Sequence, residues 1–138
     1  MAYQSEFLST FDYSGVLVKG IVTTVELIAV GGVLGVAVGI FGAWARTQGP
    51  RWLRPIVSAY VELIRNTPFL VQLFFIFFGL PSIGVQITEM QAAILTMIIN
   101  LGAYSTEIIR AGVVAVARGQ IEAALSLSMT RVQIFRHI

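Results

Sequence analysis

The 138-residue sequence contains no cysteine and a single histidine, His137. A disulfide scaffold, a thiolate nucleophile and a Cys/His metal cluster are therefore excluded. Charge is scarce: nine basic and seven acidic residues make up 12% of the chain, against roughly 25% in soluble domains. A water-soluble fold of this size exposes much of its surface, and so few charges cannot cover it. No G-x-x-x-x-G-K-[ST] loop is present, so any ATP hydrolysis belongs to another chain. What the sequence does have is apolar residues, 57% of the chain, with a mean hydropathy of +0.84. The class is an all-α integral membrane protein. A soluble enzyme and a disordered linker are excluded. The net charge of +2 gives no nucleic-acid signature, and the positions of the charges say more than their sum.

Residues 1–18 form a polar arm containing Glu6 and Asp12, without the basic start of a signal peptide. Leu27–Ala45 is uncharged and, as a helix, covers roughly 28 Å of a hydrocarbon core about 30 Å thick. The first span is placed at 20–45. Gly31, Gly35 and Gly39 recur every fourth residue and make a groove for close approach of another helix. Glu26 lies two turns into this span without an evident partner within it. A second span is placed at 57–80. Its apolar part, Phe69–Leu80, covers only about 18 Å, so residues before Pro68 must contribute to the crossing. Proline removes a helical hydrogen bond and pushes Thr67 out of the α region, which predicts a bent or broken helix near Pro68. The third span is placed at 91–117, and residues 119–138 are amphipathic and too short to cross.

Arg46, Arg51 and Arg54 lie between spans one and two, and Arg118, Arg131 and Arg136 follow span three. The opposite side carries only Lys19. The positive-inside rule puts the first group in the cytoplasm and the N-terminal arm outside.

Thr96, Asn100, Ala103, Tyr104, Glu107 and Arg110 are spaced by threes and fours and fall within an arc of about 120°. Such a stripe is either one wall of a translocation path or a set of interhelical hydrogen bonds. Glu107 and Arg110 are three apart and can neutralise each other, and Glu62 and Arg65 repeat the spacing in span two. These charges serve either as structural pairs or as contacts to partner helices or a zwitterionic solute. Beyond them, Thr130 and Gln133 have capping-box spacing, with Met129 and Ile134 placed as a hydrophobic staple. A short helix over 119–127 and a second from Arg131 follow, joined by a tight turn.

Three blocks resemble one family. Glu122-Ala123-Ala124, three residues, Ser128, then Phe135-Arg136-His137-Ile138 is similar to the EAA loop of the membrane subunits of ABC importers. Tyr60 to Phe75, with Arg65-Asn66-Thr67-Pro68 at its centre, resembles the signature of the histidine/glutamine permease branch, as does Gly102-Ala103-Tyr104-Ser105-Thr106-Glu107. The resemblance implies the ABC type-1 permease fold over 19–138. It implies a multi-pass subunit of the bacterial plasma (inner) membrane that carries a polar amino acid. The subunit would bind no cofactor, the ATP being held by a partner ATPase. Further implied partners are a second permease subunit, identical or not, an extracytoplasmic solute-binding protein and membrane lipid. Glu122, Ala123 and Ala124 would contact the ATPase, with Ser128 at the turn where the family has glycine. Thr96, Asn100, Tyr104 and Glu107 are the candidates for the path. The family continues past the position of Ile138 with about two more spans, so the sequence reads as an N-terminal portion. The rival reading is a secondary transporter or ion-channel subunit that uses the Glu62 and Glu107 carboxylates.

Overall fold

A computed structural model describes residues 14–138. Among these residues every regular element is a helix: α1 Ser14–Thr47, α2 Leu53–Arg65, α3 Phe69–Ser82, α4 Glu89–Ala115, α5 Arg118–Ser126 and α6 Arg131–His137. Residues 14–18 of the expected polar arm belong to α1, and residues 1–13 lie outside the described part. At 34 residues α1 is roughly 51 Å long, so it tilts or projects beyond the hydrocarbon core.

Among the described residues the α1–α4 pair is the most extensive helix contact. In lipid no hydrophobic effect drives helices together, so close packing of small residues must do it. The glycine stripe provides that packing. Gly31 lies against Met97, Gly35 against Leu101, Gly39 against Ser105 and Gly42 against Thr106. A Cβ on Gly35 would come within 2.9 Å of Leu101, and one on Gly39 would also press on the α4 backbone. Gly102 returns the fit from α4, facing Val38 and the Tyr60 hydroxyl. These contacts advance in the same direction along both helices, so α1 and α4 run parallel. The chain between them must therefore return from the Thr47 end to the Glu89 end, and α2 with α3 makes that return.

The return path is broken where Pro68 predicts. α2 ends at Arg65, α3 begins at Phe69, and their axes differ by 105°. Pro68 is extended, with φ −61° and ψ 140°, and stands as the N-cap of α3. α4 begins two residues before the predicted start, because Thr88 and Gln91 form a reciprocal capping box. α2 packs on α4 through a small core of Ala45, Val57, Val61 and Ala103, bordered by Leu53, Tyr60 and Ile64.

Two helices end in the same way. After α3, Val85 N–H donates to Leu80 O and Gly84 N–H to Pro81 O. After α5, Met129 N–H donates to Ala124 O and Ser128 N–H to Leu125 O. Both are Schellman ends, which require a left-handed residue. Gly84 provides it at φ +89°, and Ser128 provides it at φ +58°. Ser128 thus makes a left-handed turn without glycine, at the steric cost its Cβ imposes. The Thr130–Gln133 box then opens α6, with Thr130 N–H donating to Gln133 Oε1 at 2.8 Å. Met129 and Ile134 are half-buried, unlike the residues beside them, as a staple requires.

Candidate functional site

Two features concentrate the polar side chains of the helical bundle. The first is a cleft of about 440 Å³ between α1, α2 and α4, lined by Arg46, Ser58, Glu62, Arg65, Tyr104 and Glu107 among others. The second is the elbow between α2 and α3.

In the cleft, Glu107 is held from two helices. Its carboxylate accepts from the Arg110 guanidinium one turn along α4, and from Arg46 Nη1 at the end of α1. The Glu107 side chain is 22% exposed and that of Arg46 20%, so the cluster is largely shielded. An ionisable group at such depth is tolerated when it is paired, and here two cations share one anion. The expected Glu107–Arg110 pair is present. Arg46 is the unforeseen member. Its signal lay in the glycine stripe itself, since 46 follows 42 by four residues and continues the face that meets α4.

The expected Glu62–Arg65 pair is not formed. Among the described residues, ion pairs occur only at Glu107. Arg65 is the last residue of α2, and its guanidinium lies over the Tyr104 ring, 5.6 Å from the centroid. Glu62 stays exposed on the cleft wall. Spacing on one helix permits a pair, but a neighbouring aromatic face takes the arginine instead.

At the elbow, Gln72 is buried, with 8% of its surface exposed. Its Nε2 donates to Ile64 O at 2.8 Å, Thr67 O at 2.9 Å and Thr67 Oγ1 at 2.9 Å, and its Oε1 accepts from Asn100 Nδ2 at 3.1 Å. Tyr60 ties α2 to α4 directly, donating to Ile99 O at 2.6 Å.

The predicted stripe on α4 therefore divides. Tyr104 and Glu107 reach the cleft. Asn100 meets Gln72 at the elbow. Thr96 is fully buried and donates back to Ala92 O at 2.7 Å, and Ala103 belongs to the core. Glu26 is exposed on α1. In the helix pair α5–α6, Glu122 and Ala123 are exposed, whereas Ala124 is buried beneath the turn whose carbonyl bond it makes to Met129.

A helical bundle with parallel α1 and α4, a broken return path and a capped helix pair beyond the last bundle helix is an integral membrane architecture, and its similarity to known proteins places it among the membrane subunits of solute transport systems. Residues 35–138 match the family of binding-protein-dependent transport system inner membrane components, and the chain belongs to that family. It is 39% identical over 115 residues to the L-cystine transport system permease protein TcyB of Bacillus subtilis (strain 168), covering 83% of this chain and 49% of that protein. It is 37% identical to the histidine/lysine/arginine/ornithine transport system permease protein HisQ of Escherichia coli (strain K12), covering 93% of this chain and 61% of HisQ. A solved structure described as an amino acid ABC transporter with histidines superposes with a TM-score of 0.82 at 39% identity, covering 95% of this chain and 61% of that one. The chain thus spans about half to three fifths of the length of the relatives it matches.

Proposed function

We propose that the chain is part of a transmembrane subunit of an ATP-driven importer for a polar amino acid. The relatives' names speak of L-cystine, of glutamine and of histidine, lysine, arginine and ornithine, so the polar amino acid is the class that fits. The observation that carries the reading is the α5–α6 pair. It is a short, doubly capped unit beyond the bundle, within the family match, with Glu122 and Ala123 facing outward. A rigid helix pair of this kind suits docking onto a separate ATPase, with Ser128 holding the turn. Further partners in this reading are a second permease subunit, the same or different, and a solute-binding protein. In the bacterial inner membrane, α1 and α4 cross from outside to cytoplasm and the α2–α3 return makes a broken third crossing, with the N-terminus outside. Tyr104, Glu107 and Asn100 stand nearest the path, and Thr96 supports it from within α4.

A secondary transporter using Glu107 as a proton carrier finds less support, because two guanidinium groups already hold that carboxylate. The test is uptake of labelled L-histidine, L-glutamine and L-cystine by the full-length subunit, assembled with its ATPase and binding protein in proteoliposomes. Uptake of at least one should require ATP on the ATPase side. Uptake that persists on a proton gradient without ATP would replace the importer reading with the rival. Glu122→Ala should lower uptake about tenfold while the complex still assembles, and unchanged uptake would remove Glu122 from the coupling contact.

A further inference from the structure

We infer that Gln72 is a positioning residue: its carboxamide sets the elbow between α2 and α3 and fixes the orientation of Asn100. The inference starts from a surplus of carbonyl oxygens. α2 ends at Arg65, and few donors serve the carbonyls there: Thr67 N–H and Oγ1 reach Ile64 O at 3.3 and 3.2 Å, whereas Thr67 O has no donor other than Gln72 among the described residues. Pro68 contributes no N–H to the turn. Gln72, one turn into α3, reaches back and donates to Ile64 O and Thr67 O. It is the one polar side chain in Phe69–Leu80. It joins two helices whose axes differ by 105° through a side chain, because the backbone is interrupted between them.

The chemistry also fixes which end of the amide points where. Turned over, Gln72 would set its own oxygen against two carbonyl oxygens in a buried place, which is repulsive. The nitrogen must face the elbow, so Oε1 must face α4. Asn100 then has to present Nδ2 to it, as observed at 3.1 Å. The end of α2 thereby determines the rotamer of a residue on α4, and Asn100 keeps its Oδ1 as the acceptor left for other partners. The significance for solute handling rests on the transport reading above; the elbow itself does not.

Residues 1–138 hold no cysteine, so spin labels on cysteines introduced at the exposed Ile56 of α2 and Phe78 of α3 report the elbow in the assembled full-length transporter, once any cysteine elsewhere in it is replaced and labelled subunits are diluted with unlabelled ones. Three substitutions of similar size separate the ends of the amide. Gln72→Lys keeps donors for the α2 carbonyls, where a cation is favoured. Gln72→Glu, measured at a pH where the carboxylate is ionised, has none and brings a negative charge to them. Gln72→Leu removes both ends. The expected result is a wild-type distance distribution for Gln72→Lys and one at least twice as broad for Gln72→Glu and Gln72→Leu. Asn100→Leu, which loses only the far bond, should keep the elbow narrow. Gln72→Lys should nevertheless raise the KM for uptake several-fold with kcat little changed, because Asn100 is released. If the Leu variant does not assemble, Gln72→Met, which also lacks both ends of the amide, takes its place with the same expected broadening. Equal distributions for Gln72→Lys and Gln72→Glu, or a broadening by Asn100→Leu as large as by Gln72→Leu, would overturn the inference. Loss of ATP-dependence in the uptake assay would remove the transport reading and leave the distance result standing.

Discussion

Glu62-x-x-Arg65 on α2 and Glu107-x-x-Arg110 on α4 are the same motif in helices of the same bundle, and only one becomes an ion pair. On α4 the glycine stripe of α1 brings Arg46 to the carboxylate, so Glu107 is fixed from two sides. On α2 the arginine sits at the helix end beside Tyr104, and the aromatic face takes it. An i,i+3 pair on its own is worth only about 0.2–0.5 kcal/mol, less than the contacts that tertiary packing offers either partner. Helical spacing therefore nominates charge pairs, and the neighbouring helix decides between them.

The largest effect should come from Glu107→Leu. It leaves Arg46 and Arg110 as uncompensated charges on a partly shielded cleft wall, and a loss of about 2–3 kcal/mol is expected, below that of a fully buried pair. Thermal unfolding of the assembled complex in detergent measures it, and a loss under 1 kcal/mol would mean the cluster is solvated. Gly42→Ala puts a methyl group onto the Thr106 side chain and moves α1 away from α4. It should cost about 2 kcal/mol by overpacking and should also weaken the Arg46–Glu107 contact. In an Arg46→Met background its effect should shrink by no more than the roughly 1 kcal/mol of that contact, the overpacking against Thr106 remaining. Arg46→Met alone should cost about 1 kcal/mol, since Arg110 remains to balance Glu107. Glu62→Gln should change stability by less than about 0.5 kcal/mol, because no partner is lost. A larger loss would show that Glu62 has a partner elsewhere in the complete assembly.

The two Schellman ends offer a second contrast of the same kind. Gly84 and Ser128 occupy the same backbone position, with φ of +89° and +58°. Ser128→Gly should stabilise the turn by about 1 kcal/mol by removing the left-handed strain of a β-carbon. A destabilised Ser128→Gly protein would point to a contact made by the hydroxyl that outweighs that strain.

The periodicities of the sequence located most of the bundle. The glycine stripe gave the packing face of α1, Pro68 the break, and Thr130–Gln133 the start of α6, because each is a local rule with a local cause. The expected start of α4, at 91, falls two residues late, because it takes no account of the capping-box spacing of Thr88 and Gln91. What could not be read locally is the site. Whether Arg46 is a flanking charge or a member of the Glu107 cluster depends on α1 and α4 running parallel. The role of Gln72 depends on where a 105° turn brings Asn100. The stripe on α4 looks uniform in sequence and divides in space into core, elbow and cleft, because three different elements pack against one helix.

The most direct measurement is the accessibility of Ala123→Cys; residues 1–138 hold no other cysteine, and any in the rest of the full-length subunit is first replaced. Residue 123 is exposed on α5, the proposed docking face. In inverted membrane vesicles containing the full-length subunit, a membrane-impermeant maleimide should label it, and binding of the ATPase subunit should block that labelling. In right-side-out vesicles it should remain unlabelled. Labelling from the outside, or labelling unaffected by the ATPase, would contradict a cytoplasmic coupling role for the α5–α6 pair.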